Sequence, residues 1–223
     1  MKKILSLALV ATLALAMTLG CSESGVIPMA EMETPQDSLS YAYGVQLAEM
    51  LKQQNQNLDP DVVAAAVKEA LEENAQLSME QCQEIVMDSR QKASSDAERL
   101  GQEFLIANAS KSGVQTTATG LQYKIITEGS GPSPTESSTV TIHYTGRLVD
   151  GTVFDSSVDS GEPIVYPVNG FISGWIEGLQ LMKAGGKMEL YVPANLGYGA
   201  RGAGGAVPPN AVLIFEMELI SFE

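Results

Sequence analysis

Residues 140–155 constrain the fold most strongly, because they contain two strands joined by a tight turn. Apolar and polar residues alternate up to Tyr144, which is the period of a half-buried strand. An Asp-Gly pair at 150–151 predicts the turn, and the short strand after it ends in Phe154 and Asp155. We therefore expect one face of a sheet to present Tyr144, Phe154 and Asp155 together.

The C-terminal half, residues 114–223, predicts further strands and one short helix. Alternating apolar residues indicate strands at 121–125, 164–166, 188–192 and 213–220. Residues 171–182 predict the helix and its entry turn, since Trp175, Leu179 and Met182 fall at i, i+4 and i+7. An antiparallel sheet with one helix packed across it makes this half an α+β domain.

The N-terminal half, residues 37–113, predicts helices only. The first helix, 37–53, is apolar over so wide an arc that it needs burial on more than one side, which the pairing of two chains supplies. Asp59 and Pro60 begin the second helix as N-cap and first-turn proline. Its expected buried stripe consists of Val63, Val67, Ala70 and Leu71. We expect a homodimer formed through residues 37–75.

A long third helix is predicted as an arm between the two halves. The spacing of Ser78 and Gln81 predicts a capping box at its start. The chain then keeps a helical period to Asn108, and Gly101 is a position at which the arm could bend. Cys82 lies within the periodic pattern, which predicts a buried thiol, with an intermolecular disulfide as the alternative.

Four segments of the C-terminal half resemble the FKBP-type peptidyl-prolyl cis–trans isomerase family, in the family's order: 140–157, 171–182, 190–199 and 208–215. The sequence upstream, from about Ser38, resembles the helical dimerisation domain of the macrophage infectivity potentiator group. The resemblance implies an all-α dimerisation domain with a long connecting helix, followed by an antiparallel half-wrapped β-sheet with one short helix. It also implies peptidyl-prolyl cis–trans isomerase activity.

The resemblance places a ligand pocket between the helix and the sheet. The residues that it implies as catalytic are Tyr144, Phe154, Asp155, Ile172, Trp175, Tyr198 and Phe215. Those that it implies as substrate-binding are Phe171, Val207 and Ile164. Two roles are open for Asp155: a polar contact beside the twisted substrate carbonyl, and a structural role that orients Tyr144. Many family members have an arginine where this chain has Ser160, and an aromatic residue where it has Ile164, which puts inhibitor affinity and sequence preference in question.

Composition limits the other functions open to the chain. His143 is the only histidine, so no histidine-based metal cluster or catalytic triad can form, and we expect neither metal nor cofactor. A net charge of −14, from 27 acidic and 13 basic residues, argues against nucleic acid as a partner. We expect an isomerase that acts on X–Pro bonds of folding cell-envelope proteins and has chaperone activity. The alternative is a non-catalytic holdase that uses the same pocket.

Residues 1–20 predict a secretory signal peptide, because two lysines precede an apolar run without an acidic residue. The run ends in a Gly-Cys pair that resembles a bacterial lipobox, so Cys21 is the candidate for lipidation, with residues 21–36 as a tether. Lipidation predicts a periplasmic protein anchored to the outer membrane. The alternatives are ordinary cleavage after Ala16, which leaves a soluble periplasmic protein, and a retained membrane anchor.

Overall fold

The computed structural model describes residues 32–53 and 58–223, so the predicted signal peptide and Cys21 lie outside the described residues. The described residues form four α-helices, α1 Pro35–Gln53, α2 Pro60–Leu71, α3 Met79–Ala109 and α4 Ser173–Leu181. The strands are β1 Gln115–Thr116, β2 Gln122–Thr127, β3 Thr139–Leu148, β4 Val153–Ser156, β5 Ile164–Pro167, β6 Lys187–Val192 and β7 Leu213–Phe222. The boundary between the chain's two compact units falls after Tyr41, inside α1.

Both predicted helix starts are confirmed by their side-chain caps. The Asp59 carboxylate accepts hydrogen bonds from the backbone N–H groups of Asp61 and Val62, at 2.9 and 3.4 Å. Ser78 and Gln81 form the expected capping box, with the side chain of each bonded to the backbone N–H of the other. The helix that follows, α3, has 31 residues and is about 46 Å long at ~1.5 Å per residue.

The apolar residues of α1 and α2 lie on the surface of the single chain. The prediction of a buried stripe on α2 is wrong for the single chain, because no residue of α2 is buried within the described chain and Leu71 is 82% exposed. Exposed side chains on the two helices include Leu39, Tyr41, Tyr43, Val45, Met50, Val62 and Val67. Exposed apolar surface of this extent is typical of an interaction site.

The C-terminal half has the expected antiparallel sheet. Its strand order is β1-β2-β6-β7-β3-β4, and β5 pairs with β3 on the edge opposite β7, the edge that β4 also uses. The helix α4 packs on one face of this sheet and buries Trp175 and Leu179 in the core. Central strands supply the opposite side of the core through Ile142, Leu190 and Phe215.

The C-terminal part of α3 packs directly on the sheet domain. Asn108 is fully buried, and its amide Nδ2 donates to Gln122 Oε1 at 3.0 Å, while Gln122 Nε2 donates to the Leu105 carbonyl at 2.9 Å. The rings of Phe104 and Tyr191 lie 5.8 Å apart. The arm therefore shares a packed interface with the sheet domain over its last turns.

The helix α3 is α-helical through Gly101, and this glycine is buried against the sheet domain. One expectation for the arm needs correction: Cys82 is a free cysteine of intermediate exposure, so the predicted buried thiol is wrong for the single chain. Across residues 32–53 and 58–223, the structure contains no helix that is both long and apolar enough to cross a membrane.

Candidate active site

The site begins where β3 pairs with β4, which places Tyr144 next to Asp155. The register sets Thr145 opposite Ser156 and Gly146 opposite Asp155. The Tyr144 hydroxyl donates to Asp155 Oδ2 at 2.5 Å. The structural role that the sequence left open for Asp155 is therefore present: its carboxylate fixes the tyrosine ring through a charge-assisted hydrogen bond.

Ser157 holds the same pair of strands together behind the site. Its backbone N–H donates to the Tyr144 carbonyl at 3.0 Å, and its hydroxyl accepts from the Tyr144 N–H at 2.8 Å. Ser157 is buried and also lies 3.1 Å from His143 Nδ1. His143 lies between Ile142 and Tyr144 on β3, so strand alternation places it on the other face of that strand. Sequence reasoning missed Ser157, although the Asp-Ser-Ser run after Phe154 was visible.

Trp175 forms the floor of the pocket. It is 3% exposed and is projected into the sheet by α4. Three aromatic rings surround its indole, with centroid distances of 4.9 Å to Tyr144, 5.0 Å to Phe215 and 4.7 Å to Phe171. The first two contacts are edge-to-face, the arrangement that the ring quadrupoles favour. The indole is therefore held rigidly from three sides.

The sheet wall depends on a glycine that sequence reasoning also missed. Phe154 and Phe215 meet edge-to-face at 5.7 Å, directly over Gly146. A Cβ atom on Gly146 would lie 2.7 Å from Phe154 Cζ and 2.9 Å from Phe215 Cε1. Only a residue without a side chain leaves room for both rings.

The opposite wall comes from the segment that leads into α4. Phe171, Ile164 and Ile172 are half-buried and pack against the core that contains Trp175. Tyr166, which sequence reasoning did not single out, packs against Phe171 with tilted rings and a centroid distance of 5.0 Å. Its position two residues after Ile164 on β5 places both on one face of that strand.

The rim carries the polar groups of the site. Tyr198 is 40% exposed, and burial together with the Asp155 charge raises its pKa. The pKa of Tyr144 is raised strongly, by burial first and then by the hydrogen bond to Asp155. Both hydroxyls therefore keep their protons through the neutral range and remain hydrogen-bond donors. Ser160, at the position where many family members have arginine, donates its hydroxyl to the Ser156 carbonyl at 3.0 Å.

Two N–H donors at the site lack a partner among residues 32–53 and 58–223. The Trp175 Nε1–H is buried without a hydrogen bond. The backbone N–H of Ile172, the N-cap residue of α4, also donates to no described residue. An unpaired buried donor such as the Trp175 Nε1–H is uncommon in folded proteins, and it marks a place where a ligand or an ordered water can bind.

The structure brings the predicted site residues together. Eight of them belong to one apolar cluster: Tyr144, Phe154, Ile164, Phe171, Ile172, Trp175, Val207 and Phe215. Asp155 joins this cluster through the Tyr144 hydroxyl, and Tyr198 lies close enough for its pKa to be affected by Asp155. Within the described parts of the chain, no group of three or more histidine, cysteine, aspartate or glutamate side chains could hold a metal ion.

Two family models match the chain, one in each half. Residues 131–220 match the model described as FKBP-type peptidyl-prolyl cis-trans isomerase. Residues 36–125 match the model described as the domain amino-terminal to FKBP-type peptidyl-prolyl isomerase. Together these matches cover the chain from α1 to the last strand.

Known proteins of the same length range are similar over most of the chain. The FKBP-type peptidyl-prolyl cis-trans isomerase FkpA of Aeromonas hydrophila is 39% identical over 220 residues, covering 91% of this chain and 82% of that protein. The outer membrane protein MIP of Legionella longbeachae is 41% identical over 202 residues, covering 85% of this chain and 87% of that protein. The crystal structure of FkpA from Escherichia coli superposes with a TM-score of 0.59 at 32% identity, covering 86% of this chain and 99% of that chain.

Proposed function

Since the chain belongs to the FKBP-type peptidyl-prolyl cis–trans isomerase family, it is a prolyl isomerase, and we propose that the aromatic pocket over Trp175 is its active site. The observation that carries this proposal is the closed set of ring contacts around one indole, with a single carboxylate, Asp155, at the edge. The substrate is an X–Pro peptide bond whose proline ring lies on the indole.

A dry apolar pocket suits this reaction because of how the transition state differs from the ground state. Rotation about the bond crosses a barrier of ~18–20 kcal/mol, since the planar amide is conjugated. The twisted amide loses its conjugation and much of its charge separation, so a low-polarity site binds it more tightly than the planar form. Trp175 and Phe215, each 3% exposed, and Val207, 4% exposed, provide such a surface.

The polar groups of the site hold the substrate and transfer no proton. The unpaired Ile172 N–H and the Tyr198 hydroxyl are the donors that we assign to substrate carbonyls on either side of the proline. Asp155 keeps Tyr144 in place and presents a carboxylate beside the carbonyl that twists. Rotation then proceeds with the flanking peptide fixed, and the binding free energy compensates for the conformational freedom that the peptide loses.

The direct test compares two aspartates of the same segment. Asp155→Ala should lower kcat/KM for a proline tetrapeptide by about tenfold or more, because it releases Tyr144 and removes the only acid at the pocket edge. Asp159→Ala is the matched control, since Asp159 is exposed and its carboxylate has no partner in the described residues. Phe154→Ala, which opens the sheet wall, should lower activity to a similar extent. Full activity of Asp155→Ala and Phe154→Ala would show that the site lies elsewhere.

We further propose that α1 and α2 pair two copies of the chain. Leu47 and Leu51 of α1 and Val63 and Val67 of α2 line an open apolar groove of about 450 Å³. Self-complementary coverage of such a face is the usual arrangement of a two-fold dimer. Two pockets carried on two arms would then face a shared space in which an unfolded chain can contact both.

The place of action that we propose is the bacterial cell envelope. The signal-like residues 1–20 and the candidate lipidation at Cys21 support it. One similar protein, from Legionella longbeachae, is named an outer membrane protein. X–Pro isomerisation of folding chains takes ~10–100 s when uncatalysed, which is slow enough for a catalyst to matter.

A further inference from the structure

The loop that carries Tyr198 is held at its C-terminal end by the arm helix. This rim loop, residues 193–212, connects β6 to β7 and also contains Val207. We propose that α3 positions the rim loop, and through it Tyr198, so that the arm is part of the catalytic apparatus as well as a spacer. The inference rests on the proposed site and adds the residues that set its geometry from outside the pocket.

Close packing between Gly101 and Val212 is the first observation. A Cβ atom on Gly101 would lie 2.6 Å from Val212 Cγ2 and 3.2 Å from Val212 Cβ. Both residues are buried, and Ala97, one turn earlier on α3, packs against the core. A glycine inside a helix is less favourable than alanine. At position 101 the missing side chain lets the arm approach the end of the rim loop.

A hydrogen-bond path from the arm to Tyr198 is the second observation. Asn210 Nδ2 donates to Ser94 Oγ on α3 at 3.2 Å, and the Asn210 backbone N–H donates to the Gly199 carbonyl at 2.9 Å. Gly199 follows Tyr198 directly in the chain. Asn210 also has φ of +60°, a left-handed conformation that asparagine adopts more readily than most residues. Contacts on both sides of Asn210 hold it in this conformation.

The glycine content of the rim loop makes its anchors important. Gly199, Gly202, Gly204 and Gly205 all have positive φ, and glycine loses more conformational freedom on ordering than any other residue. An internal bridge between Ala203 and Val207 orders the loop tip. The place of the loop relative to Trp175 therefore depends on its two ends, and α3 holds one of them.

The arm is fixed against the sheet domain at a second point, so it can act as a rigid support. The buried Asn108–Gln122 amide pair anchors the helix about 21 Å from Ser94, at ~1.5 Å per residue. The ring contact between Phe104 and Tyr191 lies between these two points. Anchors at both ends fix the rotation of α3 about its axis, which keeps Gly101 facing Val212.

A pair of packing variants in the full chain tests the inference. Gly101→Ala should lower kcat/KM for a proline tetrapeptide by about three- to tenfold, mostly through KM, because a small displacement of a positioning loop weakens substrate alignment. Adding Val212→Ala removes the methyl group that the new Cβ meets. The double variant should recover activity to within about twofold of the wild-type protein. Because relief of this contact would restore stability as well as position, urea unfolding is measured for both variants: a positioning effect raises KM in protein that remains folded, whereas simple destabilisation lowers the fraction of active enzyme and therefore kcat.

A double-mutant cycle shows whether the effect passes through Tyr198. In a Tyr198→Phe background, Gly101→Ala should cause less than half of the loss, on a logarithmic scale, that it causes alone. Alanine variants of two neighbouring serines on α3 separate the loop contact from a general effect on the helix. Ser94→Ala removes the bond to Asn210 and should lower kcat/KM about two- to fivefold. Ser95→Ala, on the exposed neighbour that bonds the Gln91 carbonyl, should leave it unchanged.

The failure of this inference can be distinguished from the failure of the proposed site. If the wild-type protein isomerises the peptide but Gly101→Ala and Ser94→Ala are equally active, the arm does not position the loop. Additive losses with Tyr198→Phe, or no recovery on adding Val212→Ala, overturn it as well. Full activity of both Asp155→Ala and Phe154→Ala would instead overturn the site itself.

Discussion

The hydroxyl of Tyr144 and the carboxylate of Asp155 are joined across adjacent strands by a hydrogen bond of 2.5 Å. Tyr144 also packs edge-to-face on Trp175 at 4.9 Å. A single strand pairing thus connects the acid at the pocket edge to the aromatic floor. Because the carboxylate serves to hold a ring, the site needs no change of protonation state during the reaction.

This arrangement sets the expected pH dependence. Burial first, and then Asp155, raise the pKa of Tyr144 and of Tyr198. Tyrosine in an unfolded chain has a pKa of about 10, so both hydroxyls stay protonated in the folded and unfolded states between pH 6 and 8. The tetrapeptide rate should therefore be nearly flat across that range, unlike the bell of acid–base catalysis.

The raised pKa values of Tyr144 and Tyr198 also determine how the stability of the protein changes with pH. The folded state retains protons that the unfolded state loses. The contribution of Tyr144 and Tyr198 to the free energy of unfolding is therefore complete below about pH 10, and it decreases as the pH rises toward their pKa values in the folded protein. Denaturant titrations from pH 7 to 11 measure it. A steep activity change between pH 6 and 8 in a protein that remains folded would contradict the desolvation mechanism.

The aromatic wall should be intolerant of a methyl group at Gly146. Gly146→Ala places a Cβ within 3 Å of both Phe154 and Phe215. Overpacking of this kind typically costs about 1–3 kcal/mol, and displacement of either ring also widens the pocket. We expect a lower midpoint in urea and a loss of activity. Phe154→Leu in the same chain should restore part of the stability. Unchanged stability of Gly146→Ala would mean that the two rings do not meet over this residue.

Removal of α1 and α2 should separate peptide activity from protein-folding activity. Deletion of residues 22–77 keeps the capping box of Ser78 and the whole of α3, including its contacts with the sheet domain. Tetrapeptide isomerisation should stay within about threefold, since one pocket suffices for a short peptide. Catalysis of proline-limited protein refolding should fall about tenfold, because the second contact at high effective concentration is lost.

Sedimentation of the deleted and full-length proteins provides the control. The full-length protein should be a dimer and the deletion a monomer. If both activities fall equally, the helices only support the fold. If refolding activity survives in a monomer, the two pockets do not act together on one client.

Lipidation of Cys21 has its own test. The mature wild-type protein should carry a lipid-modified cysteine at its N-terminus and fractionate with membranes, and Cys21→Ser should remain unmodified. Mass spectrometry of the mature N-terminus reads this directly. A free N-terminus at Met17 would instead indicate ordinary cleavage after Ala16.

The sequence predicted most of the site because its signals are local or belong to recognisable segments. Strand alternation up to Tyr144 and the Asp-Gly turn predicted the β3–β4 hairpin, and Asp59 and Ser78 predicted two helix starts. The helical spacing of Trp175, Leu179 and Met182 placed the α4 face on the sheet.

Features that depend on contacts between distant segments could not be predicted. Nothing near Gly101 in the sequence shows that it meets Val212, and nothing near Gly146 shows that two rings lie over it. A glycine in a helix predicts weakness unless its tertiary neighbour is known. The prediction that the apolar face of α2 is buried fails for a different reason. Periodicity shows that a face is apolar, but not whether the same chain covers it.

Trp175 is the only tryptophan of the chain, so its fluorescence reports on the pocket floor alone. The most direct measurement is a fluorescence titration of the full-length protein with a proline tetrapeptide, run beside the isomerisation assay. A proline ring on the indole should change the emission saturably, with a midpoint that agrees with KM within about threefold when chemistry is slower than dissociation. Asp155→Ala should weaken both together. Saturable catalysis without any change in Trp175 emission would contradict the assignment of this pocket as the active site.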